Sequence, residues 1–261
     1  MYSSLHNIFA DQKGGDVFNC FGPWHFLYIF LAIGVIALSI WLLRNKDKVT
    51  CDEALKIFAG IAFGLYMLDI FLMPFAYGEI DVDKLPFHAC TSMSIMCFLS
   101  NHVTFLKKYR VNFALLAVLS NLMYLIYPSG VASYEIHPLS YRAIQTLLFH
   151  GAMVVYGVLT LVWNREELTF KRWYRNLAVL GALTVWAMIG NGLYSGEADG
   201  YSHDFNWFFI KADPFGFIPE EIAQYICPWL NIAVFFALEM IIVAIFTAFR
   251  RSAAKKAEQT A

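Results

Sequence analysis

A thiol, an imidazole and three hydroxyls stand close together in "LPFHACTSMS", residues 85–94, at the head of an apolar stretch. A thiol with an ordinary pKa of about 8.5 is a weak nucleophile at neutral pH until a nearby histidine lowers it or takes its proton. His88 does not fill that role for Cys90 in a regular helix. At about 100° per residue the two differ by about 200° and face nearly opposite sides, whereas Ser94 lies four residues beyond Cys90 and shares its face. Pro86 is suited to a first helical turn, so His88 stays a candidate only in a loosened turn beside the site.

His150, in "YRAIQTLLFHGA" (residues 141–152), is the better partner. Arg142, Thr146 and His150 form an i, i+4, i+8 stripe, and Gly151 is expected to let a neighbouring helix approach. At about 1.5 Å per residue Cys90 lies roughly 7 Å, and His150 roughly 15 Å, from the same end of their helices; a shift of a few residues at each end closes that gap. Within a membrane the natural electrophile for such a pair is an acyl ester reached from the lipid. Ser94, Asn121 or a backbone N–H can hydrogen-bond the developing oxyanion. No C-x-x-C or H-x-x-x-H spacing points to a metal site, so neither metal nor cofactor is expected.

Other polar groups fall at depth in apolar windows: Asp69, Gln145, Asn191, Asn231 and Glu239 join His88, Cys90, Ser94, Asn121 and His150. Such groups are costly in lipid and usually face the bundle interior, which makes each a functional candidate. Interhelical hydrogen bonds of about 0.6–2 kcal/mol are the competing explanation. Asn121, Asn191 and Asn231 fit that second role well, Asp69 and Glu239 fit either, and Asn101 and His102 read as interfacial.

The elements that must position these groups are membrane helices. The 261 residues are 59% hydrophobic and 15% charged, with a mean hydropathy of +0.54, against about 25% charged in soluble domains. Windows of about 20 apolar residues, enough to cross roughly 30 Å of hydrocarbon, recur near 24–43, 54–75, 86–105, 111–127, 140–163, 174–194 and 229–249. The expected fold is therefore all-α: one domain over residues 1–251, a polytopic bundle of seven transmembrane helices. Short connections make sequential helices antiparallel neighbours.

Charge gives the orientation. Arg44, Lys46, Lys48 and Lys56, then Lys107, Lys108 and Arg110, then Arg165, Lys171, Arg172 and Arg175, then Arg250, Arg251, Lys255 and Lys256 follow the odd-numbered windows; Lys13, Lys84, Arg142 and Lys211 are alone on the other side. Glu79, Asp81, Asp83, Glu197, Asp199, Asp204, Asp213, Glu220 and Glu221 gather there too. The positive-inside rule then puts the amino terminus outside and the carboxyl terminus in the cytoplasm. The net charge of −1 offers no basic field for nucleic acid. Trp24, Trp41, Trp163, Trp173, Trp207 and Trp229 near window ends suit interfacial anchoring.

The first 23 residues lack a basic n-region and an A-x-A site, so the first window is expected to be an uncleaved span. A Cys20–Cys227 disulfide is open if the two approach closely enough. Residues 195–228 form a long aromatic loop, either resting on headgroups or folded over a cavity as a lid carrying Phe205, Trp207, Phe208 and Phe209. The polar tail 252–261 is expected to be disordered.

"LPFHACTSMSIMCFLS", "LLFHGAMVV", "NGLYSG" and "FNWFFIKADPFGFIP" resemble, in order and placement over about residues 54–245, the YwaF-like integral membrane proteins of bacteria, a family similar to the animal lipid acyltransferase transmembrane protein 164. The motif L-P-L-x-x-C is matched by Leu85, Pro86 and Cys90, with Phe87 for Leu; H-G by His150 and Gly151; and N-Y-x-[FY]-L by Asn206, Phe208 and Phe209, with Trp207 for Tyr. The resemblance implies a multi-pass protein of the bacterial cytoplasmic membrane, with Cys90 accepting an acyl group and His150 as its partner.

The leading expectation is thus a cysteine-dependent acyltransferase or lipid hydrolase. Its partner is membrane lipid, its catalytic pair is Cys90 and His150, and its binding or oxyanion candidates are His88, Ser94, Asn121, Gln145, Thr146, Arg142, Asp69 and Asn206. The alternative is a non-catalytic transporter or receptor-like bundle whose His88, Asp69, His150 and Glu239 line a site for a small ligand or protons. A third reading is a structural partner in the envelope. The pattern specifies no oligomeric state.

Overall fold

The computed structural model describes residues 16–77, 82–132, 136–198, 201–212 and 217–260. Lys13, Glu79, Asp81, Asp199 and Asp213, used above to read orientation, lie outside them. The helices of 14 residues or more among the described residues are α1 (Pro23–Leu43), α2 (Lys48–Tyr77), α3 (Ala89–His102), α4 (Arg110–Ile126), α5 (Tyr141–Trp163), α6 (Trp173–Tyr194) and α7 (Glu220–Thr260).

Seven spans were expected, and the described residues give five helices long and apolar enough to cross a membrane: α1, α2, α5, α6 and α7. That makes the chain an integral, multi-pass membrane protein. The 17 residues of α4 are apolar but fall short of that length, and the 14 of α3 fall shorter still, in place of the expected 86–105. The chain turns at Leu85–Phe87, where the Phe87 N–H donates to Leu85 O, and α3 ends where Val103 becomes extended.

Two further differences lie near the carboxyl end. The long loop is partly ordered: β1 (Gly196–Ala198) pairs antiparallel with β2 (Tyr201–His203) in the register Gly196 to His203, so the described fold is helical with one small hairpin. α7 begins at Glu220, ahead of the expected 229, and its backbone runs on to Thr260 where a disordered tail was expected. Residues 253–258, "AAKKAE", are strong helix formers, which favours that extension.

The chain divides into two compact units. One comprises residues up to Lys84 together with Met93–Trp163, and the other Leu85–Ser92 together with Asn164 onward. In the first, α5 packs against α1, α2 and α4. It is the central helix: 72% of its apolar window is buried, against 17% for α1. Phe30 and Trp41 of α1 and Ile57 and Phe71 of α2 stay exposed, as lipid-facing residues should. In the second unit α6 packs against α7, and a turn at Trp207–Phe209 rests on both.

Small residues set the spacing, though not at the expected position. A Cβ on Gly151 would meet Ala32 Cβ at an ordinary 3.8 Å, whereas one on Gly157 would fall 2.5 Å from Val118 Cγ2 and 3.0 Å from Ala114 O. The close approach of α4 to α5 therefore depends on Gly157. Gly157→Val is expected to destabilise this unit by about 1–3 kcal/mol through overpacking while Gly151→Ala is tolerated. Thermal melting in detergent checks this, and equal melting of both variants would contradict it.

Candidate functional site

His150 lies buried on α5, and its Nδ1 is 2.7 Å from Asn121 Oδ1 on α4. The direction of that bond is fixed by chemistry. The Asn121 amide nitrogen donates to Ala117 O at 2.8 Å and to Ser120 Oγ at 3.3 Å, and a backbone carbonyl can only accept. The other Asn121 atom is then the carbonyl oxygen, so His150 must donate from Nδ1, and neutral His150 carries its lone pair on Nε2. Tyr124, three residues after Asn121 and on the same face of α4, stacks on the imidazole at 4.0 Å with 16° between planes. Asn121 thus acts as the orienter of His150, and its amide N–H groups are committed within its own helix. This role differs from the oxyanion donor considered above. The signal that could have exposed Tyr124 is its i, i+3 spacing from Asn121.

Asp69 and Gln145 are held in hydrogen bonds that tie α2 to α5. Buried Asp69 of α2 accepts from Tyr141 OH at 3.1 Å and has Lys84 Nζ 3.5 Å from its other oxygen. Lys84, read from sequence as a marker of topology, therefore also neutralises a buried carboxylate. The Gln145 amide donates to Leu65 O at 3.2 Å, and Thr146 Oγ1 donates to Gln145 Oε1 at 3.3 Å. Arg142 is half-buried one turn before Thr146, and Ser94 is fully buried on α3.

Asn101, expected at the interface, donates to Tyr156 OH of α5 at 2.9 Å. Arg110, read as a topological charge, is buried and pairs with Asp52 at 2.9 Å. His25, which the sequence reading passed over, is fully buried. It accepts from the Phe21 N–H at Nδ1, so its Nε2–H donates to Leu125 O at 2.7 Å.

In the second unit the segment that carries Cys90 is braced by aromatic packing. Phe87 stacks on Trp186 and lies tilted against Trp207, each 4.8 Å away, and presses on Gly190, where a Cβ would come within 2.4 Å of its ring. The Trp186 indole donates to Pro86 O at 2.6 Å. The Ser92 N–H bonds His88 O at 2.9 Å, which places His88 at the cap and half-buried Cys90 in the first turn of α3. Helix N-termini present backbone N–H groups and favour negative charge. Thr91 and Ser92 bond back to the entry loop, Thr91 Oγ1 to His88 O and Ser92 Oγ to Pro86 O.

His88 faces the loop through its Nδ1, which accepts from the Phe208 N–H at 3.5 Å. That loop is strained: Phe208 and Phe209 have φ of 57° and 52°, a left-handed conformation costing about 1–2 kcal/mol per non-glycine residue. Three asparagines hold it. Asn191 of α6 accepts from the Trp207 N–H at 2.9 Å and donates to Trp207 O, and Asn231 of α7 donates to Phe208 O and Phe209 O at 2.8 and 2.9 Å. Asn206 has its amide engaged by Lys211 and Ala212 backbone. Trp207 and Phe208 are buried packing residues of this unit, whereas Phe209 is exposed.

Cys20 is half-buried just before α1, and Cys227 is buried in the first third of α7. Burial pushes the Cys20 thiol up from its ordinary value. No group of three or more His, Cys, Asp or Glu among the described residues has the arrangement of a metal site.

Asn191→Ala would orphan the N–H and C=O of buried Trp207, at a cost of about 1–3 kcal/mol per group. Amide hydrogen exchange over 205–210 should accelerate in that variant, and unchanged exchange would contradict the bracing role.

A family model described as the TMEM164 family matches residues 20–249. No curated protein and no solved structure matches this chain.

Proposed function

Because this chain belongs to the TMEM164 family, we propose that it is an integral membrane enzyme that transfers acyl groups from lipid esters by way of Cys90. The observation that carries the reading is the bond between Asn121 and His150. It holds a buried imidazole in the tautomer whose Nε2 is the base, and it assigns the orienting role to an amide, the third-group logic of a cysteine–histidine–asparagine site.

In this mechanism the Cys90 sulfur attacks the ester carbonyl as His150 Nε2 takes the thiol proton. The oxyanion that forms is met by backbone N–H groups at the start of α3. Collapse breaks the carbon–oxygen bond, the imidazolium returns the proton to the departing alkoxide, and an acyl thioester remains on Cys90. A lipid hydroxyl, or water in the hydrolytic variant, then attacks the thioester with His150 again as base, and the thiolate leaves and is reprotonated.

His88 and the strained Phe208–Phe209 turn hold the segment of Cys90 in place, while Ser94, Gln145, Thr146, Arg142 and Asp69 shape the polar interior of the other unit. The charge pattern orients the chain with its amino terminus outside, which would have the site draw on the outer leaflet of a bacterial cytoplasmic membrane.

The experiment is turnover in nanodiscs, with a phospholipid carrying a labelled acyl chain and a lysophospholipid acceptor. Cys90→Ser should abolish transfer. His150→Ala should lower it by about 10²–10⁴-fold, the range for loss of a general base, and Asn121→Ala by a smaller factor. Full turnover in folded Cys90→Ser would overturn the proposal.

A further inference from the structure

Glu239 lies in the apolar stretch of α7, 1% exposed, and neither carboxyl oxygen has a hydrogen-bond partner among the described residues. A carboxylate so placed must be neutralised, because a lone ionised group in a low-dielectric interior is far costlier than a paired one.

Among the described residues of this unit, the elements packed against α7 bring no charged group to Glu239. From α6 the polar group that faces Glu239 is the buried amide of Asn176, which carries no charge. The charged residue of α6, Arg175, lies over the Tyr174 ring at 5.8 Å. The Trp207–Phe209 turn carries no charge. In the segment before α6, Arg172 pairs with Glu167 at 2.9 Å and Lys171 is exposed. On α7 itself Arg250 is eleven residues away, about 16 Å along the helix, and its guanidinium donates to Arg165 O and Leu168 O.

We propose that Glu239, with Asn176 beside it, is a proton-binding site in the α6–α7 unit, occupied by an exchangeable proton that makes the side chain a neutral acid. A neutral carboxyl can donate its O–H to the Asn176 carbonyl and accept from the Asn176 amide, a reciprocal pair that an ionised carboxylate cannot form. Loss of the proton leaves a bare charge between two membrane helices, so the packing of α6 on α7 responds to protonation. The site is independent of the acyl-transfer proposal and uses none of its residues.

Infrared difference spectra of the full chain in nanodiscs, parent against Glu239→Gln, test this directly. At neutral pH the parent should show the carbonyl stretch of a protonated carboxyl that the variant lacks. In Glu239→Asp, which keeps the acid should the glutamine variant fail to fold, the band should shift and persist. Dicyclohexylcarbodiimide, which adds to buried carboxylic acids and not to carboxylates, should modify Glu239 and leave exposed Glu220 and Glu221 untouched. Modification should decline as pH rises, with sodium giving no protection at constant pH. Carboxylate stretches from Glu239 at neutral pH would overturn the proposal, and protection by sodium would reassign the site to a metal cation.

Discussion

Asn121 can offer its carbonyl oxygen to His150 because its amide nitrogen is already committed to Ala117 O and Ser120 Oγ. That single constraint fixes which histidine nitrogen carries the proton, and the surrounding helices exist in the form needed to maintain it. α5 is the most buried of the membrane-crossing helices and meets α4 across Gly157, where a side chain would strike Val118 and the Ala114 carbonyl. Widening that contact would draw Asn121 and Tyr124 away from the imidazole. The closeness of two backbones and the tautomer of one side chain are thus the same requirement at different scales.

The need to satisfy polar groups inside a membrane protein explains the partners of Asp69, Gln145 and His25 in this unit. Asp69 is matched by Tyr141 and Lys84, Gln145 by a backbone carbonyl of α2, and His25 by Leu125 O. In the second unit the same rule works on backbone. Two consecutive phenylalanines in left-handed conformation leave carbonyls that no regular element would satisfy, and Asn231 takes both of them while Asn191 takes Trp207. Strain of this kind persists only where the surroundings over-determine it, and here they do so beside His88, at the cap of the helix that carries Cys90.

The sequence made the membrane character plain, because hydropathy depends on composition alone. It placed α5 and α6 to within a residue or so of their ends, because each is a long apolar run between charged or turn-forming segments. It misjudged α3, where apolar residues continue beyond His102 although the backbone breaks at Val103. It also misjudged the start of α7, since "EEIAQYI" is polar enough to read as loop yet is made largely of good helix formers. His150 and Asn121 were both legible as polar groups at depth, but their pairing was not, for helical periodicity gives the face of one helix and says nothing of the register of another. Lys84 and Arg110 were misread for a related reason: a positive charge near a helix end looks topological until the carboxylate opposite it, Asp69 or Asp52, is seen.

The central claim is that Asn121 locks His150 as the Nδ1–H tautomer with Nε2 as its basic nitrogen, and ¹⁵N chemical shifts of the His150 imidazole in the full chain read this directly. The neutral ring should show a protonated-type Nδ1 and an unprotonated-type Nε2, changing to a mixture of tautomers in Asn121→Ala. A neutral ring protonated at Nε2 in the parent protein would contradict it.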